Sequence, residues 1–207
     1  MAKLYFKFGA MGSSKTAQAL MTKFNYEEKG KRVLLIKPAT DNRDDRLDEH
    51  GNLCAIVRSR IGLFAEAVAV EPEDDVRQLY LARSKESPLD VLICDECQFL
   101  TGTQVDQMKE LADLDDVPVL CFGLRADFQT QLFPGSKRLF EIADSITEIK
   151  SVCRCGRKAT VNARFDDSGV IITQGAQVCI GGNDRYEGVC YKCYREMIRN
   201  QGKKIIH

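Results

Sequence analysis

Asp90-Val91-Leu92-Ile93-Cys94-Asp95-Glu96 is a strand-length apolar run that ends in two carboxylates. Two other stretches have the same texture, RVLLIKP at 32–38 and PVLCFGL at 118–124. None alternates polar with apolar residues, as a strand with one wet face would. Continuous runs of this length indicate a sheet buried on both faces, which means parallel strands joined by helical crossovers. The neighbouring segments agree. LYFKF, within 3–8, reads as a further strand ending at Gly9. Lys15 to about Lys29 reads as a helix stopped by Gly30, and 64–86 and 101–114 read as two more helices. Residues 1–150 are therefore expected to form an α/β domain.

The 207 residues are 44% apolar and 29% charged, enough to build a sizeable core and unlike a disordered chain. Thirty Lys and Arg balance thirty Asp and Glu, so no general attraction to nucleic acid or anionic lipid is expected. No apolar run is longer than a strand, so no membrane span is expected, and MAKLYFKFGAMG does not read as a secretion signal. The expectation is a cytoplasmic protein. In a reducing compartment its nine cysteines are core residues, metal ligands or reactive thiols rather than disulfides. Cys54, Cys94, Cys97, Cys121 and Cys179 are scattered, and Cys94 and Cys97, although spaced C-x-x-C, are expected to be structural.

After Lys150 the texture changes to short strands and turns, including GVIITQG and AQVCIGG, so 151–207 reads as a small β-rich domain. Its tail, Tyr194 to His207, reads as a short basic helix. The segment DNRDDRLDEHGNLCAIVRSR, 41–60, begins charged and aperiodic, which suggests a loop followed by a short strand. Whether that loop contacts a ligand or is a solvated excursion is left open by its composition.

Three groups of residues carry chemistry. Gly9-Ala10-Met11-Gly12-Ser13-Ser14-Lys15-Thr16 lies between a strand and a helix, the setting in which G-x-x-x-x-G-K-[ST] binds phosphate. Small residues let backbone N–H groups face the phosphates, Lys15 reaches their outer oxygens, and Thr16 offers a hydroxyl to Mg²⁺. Ser14 stands where the pattern has Gly, which is tolerable only with ordinary backbone angles; the plainer alternative is a turn with Ser13 or Ser14 capping a helix. Asp95-Glu96, at the end of an apolar strand, is where the second Mg²⁺ contact and an acid or base for an attacking hydroxyl belong. Finally, Cys153-x-Cys155 and Cys190-x-x-Cys193 could form a four-thiolate Zn²⁺ site that stabilises a small domain, the first pair being one residue shorter than the usual spacing. Four free core thiols are the alternative.

The order of these motifs, with KPATDNRDD at 37–45, DECQF at 95–99, FGLRADFQ at 122–129 and IGGNDRYEGVCYKCY at 180–194, resembles the thymidine kinase family of the small, zinc-containing tetrameric type. The resemblance spans nearly the whole chain. It implies a P-loop, RecA-like parallel sheet at 1–150 and a zinc-binding lasso domain at 151–207 that closes over a nucleoside. The implied reaction moves the γ-phosphoryl of ATP to the 5′-hydroxyl of thymidine or deoxyuridine in nucleoside salvage. Glu96 would be the general base, Asp95 and Thr16 the Mg²⁺ contacts, and Gly9 to Thr16 with Asp41 and Arg43 the ATP contacts. Met11, Phe99, Leu124 and Phe128 would wall the nucleoside pocket, with Tyr186 against the deoxyribose. Cys179, Ile180, Gly181 and Gly182 would hold the base, with Asn162 beside it. The resemblance also implies structural zinc on Cys153, Cys155, Cys190 and Cys193, a homotetramer and feedback inhibition by dTTP. Two other functions compete: a nucleic-acid-stimulated ATPase, which should have a second lobe and a basic track, and a silenced relative that binds nucleotide as a regulator, suggested only by Ser14.

Overall fold

The computed structural model describes residues 1–47, 53–177 and 185–200. Eight strands form the main sheet: β1 (Leu4–Phe8), β2 (Val33–Pro38), β3 (Arg46–Leu47), β4 (Leu53–Arg58), β5 (Phe64–Val70), β6 (Val91–Cys94), β7 (Val119–Gly123) and β8 (Ser145–Glu148). Their order is β3-β4-β5-β2-β6-β7-β1-β8. From β5 to β8 every pairing is parallel, whereas β4 joins β5, and β3 joins β4, antiparallel. The helices are α1 (Lys15–Glu28), α2 (Val76–Glu86), α3 (Gly102–Leu114), α4 (Pro134–Ile142) and α5 (Tyr191–Arg199).

The unbroken apolar runs are explained by two cores. Leu34 and Ile36 of β2, Leu92 and Cys94 of β6, and Val119 and Cys121 of β7 face Val76 and Tyr80 of α2, Val105 and Met108 of α3, and Leu139 of α4. The alternate residues Leu35, Val91, Ile93, Leu120 and Phe122 face the other way, onto Ala19 and Leu20 of α1. Each fully buried Val, Leu, Ile, Phe or Met among them contributes about 1.5–3 kcal/mol relative to its exposed state. α3 begins in a capping box, in which Thr101 accepts from the Gln104 N–H and the Gln104 side chain accepts from the Thr101 N–H.

One expectation is corrected. The single helix read over 64–86 is two elements, β5 and then α2, with Pro72 between them. The alternating FAEAVAV pairs with β2 on one side and β4 on the other, and these distant partners outweigh local helix-compatible composition. The charged segment does contain a short strand, β4, preceded by the two-residue β3.

A second, antiparallel sheet has the order β10-β9-β11, built from β9 (Val161–Phe165), β10 (Ile171–Ile172) and β11 (Arg185–Val189). Its core gathers Cys153, Val161, Ala163, Ile171, Val189, Cys190 and Tyr194, with Ala10 packed against it. The helix expected from Tyr194 begins earlier, at Tyr191, and its expected end at 201–207 lies outside the described residues. Among the described residues no helix is long and apolar enough to cross a membrane.

Candidate active site

Because β1, β2, β6 and β7 are parallel, their carboxyl ends share one edge of the sheet, where ligands of such sheets bind. The loop from Gly9 to Ser14 leaves β1 there. A Cβ on Gly9 would lie 2.3 Å from Ser13 Oγ and 2.5 Å from the Ile149 carbonyl oxygen, so the position requires glycine. Lys15 starts α1 and is buried; its ammonium donates to the Ala10 carbonyl at 2.9 Å and to Ser13 Oγ at 3.4 Å. Burial lowers its pKa, against the pull of Glu96 and Asp95.

Ser14 does not have the ordinary angles its side chain was expected to require. It is left-handed, with φ 62° and ψ 27°, and although it occupies the N-cap position of α1 its side chain makes no cap hydrogen bond. The loop therefore keeps its curvature at a backbone cost of about 1–2 kcal/mol.

Asp95 and Glu96 follow β6 and point differently. Asp95 is buried, and burial together with the neighbouring Glu96 pushes its carboxyl up to about 7, against the Thr16 hydroxyl that hydrogen-bonds to it. Glu96 is itself left-handed, with φ 50° and ψ 34°. Its Oε1 accepts from Arg43 Nη2 at 3.0 Å, and its Oε2 accepts from the Gln98 amide. Arg43 in turn grips buried Asp41 through Nε at 2.6 Å and Nη2 at 3.1 Å, and that pairing raises its pKa. The segment carrying both residues is anchored by a buried ion pair between Lys37 and Asp45; Lys37 Nζ also donates to the Ile56 carbonyl at 2.9 Å.

These groups border a cavity of about 550 Å³. Of the residues expected from the sequence, Met11, Gly12, Ser14, Lys15, Thr16, Asp41, Arg43, Glu96, Phe99, Leu124, Phe128, Asn162 and Tyr186 line it. Gly9, Ala10, Ser13 and Asp95 stand behind this wall, and Cys179, Ile180, Gly181 and Gly182 lie outside the described residues. The apolar end is stiffened by stacking. The Arg164 guanidinium lies 5.0 Å from the Phe128 ring and 5.9 Å from that of Tyr186, and Phe99 meets Phe133 edge-on at 5.5 Å.

Several residues that line the cavity are not singled out by the sequence. Gln98, fully buried, accepts from the Leu124 N–H at 2.9 Å through Oε1, so its amide is oriented to donate to Glu96. Asp127 accepts from the N–H groups of Gln129 and Gln131, both at 2.8 Å, and from Gln177 at 2.9 Å, tying the turn after β7 to the segment after β10. Gln98 and Asp127 sit inside the quoted blocks DECQF and FGLRADFQ, so their proximity to Glu96 and Phe128 was a usable signal. Arg58, the last residue of β4, and Ser59, Arg60 and Ile61 of the β4–β5 turn also line the cavity, where the pairing of those strands brings them.

Cys153, Cys155, Cys190 and Cys193 place their sulfur atoms within 4.8 Å of one another, a set that could hold a metal ion. The short spacing of the first pair is accommodated by a turn closed by the Gly156 N–H on the Cys153 carbonyl at 2.8 Å. Of the five other cysteines, Cys94, Cys97 and Cys121 are buried, Cys54 is half-buried, and Cys179 lies outside the described residues.

A family model described as "TK: Thymidine kinase" matches residues 2–194. The thymidine kinase of Photorhabdus laumondii subsp. laumondii is 42% identical over 204 residues, covering 99% of this chain and 97% of the relative. The corresponding protein of Novosphingobium aromaticivorans is 44% identical over 196 residues, covering 95% and 98%, and that of Ruegeria pomeroyi 43% over 204 residues, covering 99% of each.

Proposed function

This chain belongs to the thymidine kinase family, and on that premise we propose that it transfers the γ-phosphoryl group of ATP to the 5′-hydroxyl of thymidine or deoxyuridine, a step of pyrimidine deoxynucleoside salvage. The observation that carries this reading is one cavity lined by Lys15 and Thr16, by Phe99, Leu124, Phe128 and Tyr186, and by the Glu96 carboxylate. Phosphoryl transfer needs mainly positioning and charge stabilisation, and this arrangement supplies both.

In the proposed mechanism the loop from Gly9 to Ser14 and Lys15 bind the donor phosphates, with Arg43 and Asp41 at the facing edge. Thr16 and Asp95 would hold Mg²⁺, their hard oxygens suiting that ion, and the bound ion would neutralise phosphate charge. Phe99, Leu124, Phe128 and Tyr186 enclose the nucleoside and exclude water. Glu96, oriented by Gln98, takes the proton of the 5′-hydroxyl as that oxygen attacks in line.

We place the division between the ATP-binding and lasso domains at residue 150, supported by the separate core of the second sheet. The four cysteines are proposed to bind structural zinc. Zn–S bonds of about 2.3 Å imply sulfurs about 3.8 Å apart in a tetrahedron, and the observed 3.6 Å between Cys155 and Cys190 is close to that. The family also suggests a homotetramer inhibited by dTTP, acting in the cytoplasm on small molecules rather than nucleic acid. Purified protein with Mg·ATP and a panel of nucleosides tests the reaction. Monophosphate from thymidine and deoxyuridine is expected; another nucleoside reacting in their place overturns the substrate assignment, and no product from any overturns the kinase reading. Hydrolysis stimulated by DNA or RNA would favour the ATPase, and ATP binding without turnover the silenced regulator. Elemental analysis should find about one zinc per chain.

A further inference from the structure

Asn162 was expected beside a nucleoside base, yet both ends of its amide are bound by main chain of this protein. It lies on β9, 5% exposed. Its Oδ1 accepts from the Met11 N–H at 2.8 Å and its Nδ2 donates to the Ala126 carbonyl at 2.7 Å. Met11 belongs to the phosphate loop. Ala126 belongs to the turn that presents Leu124 and Phe128 to the cavity. One side chain of the small sheet therefore joins the two halves of the site, which lie 151 and 36 residues from it along the chain.

Gly188 of β11 is the register partner of Asn162, and a Cβ there would come 2.5 Å from the Met11 carbonyl oxygen and 3.4 Å from the Ala10 Cβ. The paired positions 162 and 188 thus form a seat: one bonds the Met11 N–H and the other lets its carbonyl approach. Ala10 packs into the core of the same sheet. Arg125 adds a bond from the pocket turn, donating to the Thr160 carbonyl at 2.9 Å. An uncharged amide meets both main-chain partners at once, its oxygen accepting and its nitrogen donating.

We propose that Asn162 is a positioning residue that sets the distance between the phosphate loop and the nucleoside wall, with Gly188 as the surface on which the loop rests. The proposal rests on the kinase reading for its consequence. In-line transfer between two bound substrates is sensitive to their separation, and a misplacement of about 1 Å costs on the order of 10²-fold in rate. A base-reading residue and a positioning residue leave different marks. Loss of the first raises the nucleoside KM with kcat kept; loss of the second lowers kcat and weakens ATP binding with the nucleoside KM little changed.

The test combines Asn162→Leu, which removes both bonds, with Asn162→Asp, which has the same size but can bond only the Met11 N–H and repels the Ala126 carbonyl. Affinity for a fluorescent ATP analogue, kcat and the nucleoside KM are measured, with melting temperature and metal content confirming the fold. Asn162→Leu is expected to weaken the analogue about 10-fold and lower kcat about 10- to 100-fold, the nucleoside KM moving less than about threefold. Asn162→Asp should keep most of the analogue affinity and lose kcat. A raised nucleoside KM at unchanged kcat, or all three values within about twofold of wild type in both variants, overturns the proposal. Should neither variant fold, amide exchange in the unmodified protein decides: the Met11 N–H should be protected at least about 100-fold, and rapid exchange there overturns it. The analogue and exchange measurements need no turnover, so an inactive wild type would refute the kinase reading while leaving these two decisive.

Discussion

Arg43 reaches 53 residues along the chain to hold Oε1 of Glu96 at 3.0 Å while its other contacts grip Asp41. A carboxylate proposed as a general base is thus clamped by a cation from the loop that would face the donor phosphates. The clamp orients Glu96, but it also competes with any phosphate oxygen for the same guanidinium. Glu96→Gln removes the base and keeps an acceptor for Arg43, so turnover should fall by roughly 10² to 10⁴ with thymidine affinity near normal. Arg43→Lys loses the two-point fork on Asp41 and should lower turnover about 10-fold at nearly unchanged melting temperature. Steady-state kinetics with calorimetric thymidine binding checks both; unchanged turnover in Glu96→Gln removes that residue from the base role.

Gln98 is fully buried between the Leu124 N–H and Glu96. Gln98→Leu would leave that N–H without a partner and Glu96 held from one side only. A stability loss of about 1–3 kcal/mol is expected in urea unfolding, together with a drop in kcat of about 10-fold. A stability loss with kcat intact would make Gln98 purely structural.

Ser14 is left-handed at the place where glycine is free of that cost. Ser14→Gly should therefore raise stability by about 0.5–1 kcal/mol and leave the ATP KM within about twofold, since the loop already has the required curvature. Thermal melting and ATP titration measure the two effects. A tenfold change in ATP KM would show that the hydroxyl, and not only the backbone, matters.

Asp95 holds its proton more tightly in the folded protein than in the unfolded chain, because burial and Glu96 raise its carboxyl from 3.8 to about 7. Its contribution to stability is therefore fully present below about pH 4 and is lost as pH rises through about 7. Asp95→Asn stays neutral throughout. Without ATP or divalent metal it should melt above wild type at pH 8 by on the order of 5 °C, with the difference shrinking toward pH 4. Scanning calorimetry across that range tests this, and a difference independent of pH would mean that Asp95 is not the group responsible.

Much of the site was legible in linear order because its chemistry sits where strands end. The apolar run through Ile93 announces a strand, so Asp95 and Glu96 must lie at its edge, and Gly9 to Thr16 announces its own turn. The β5 segment reads as helix in the sequence because Ala and Glu suit helices locally, and pairing with β2 and β4 makes Phe64–Val70 extended. Gln98 and Asp127 lie inside sequence blocks that mark the site, but their partners, the Leu124 N–H and Gln177, are in other segments and only the fold identifies them.

By itself, the sequence determined the two-faced sheet, the phosphate loop, the acidic pair and the cysteine pairs, since each depends on residues close together in the chain and on their burial or spacing. The tertiary structure decided which of these groups meet. Arg43 on Glu96, Asn162 between Met11 and Ala126, and Cys153 and Cys155 beside Cys190 and Cys193 are contacts across long separations. They are set by strand register and by the packing of two sheets, which are properties of the whole chain and of no single stretch within it.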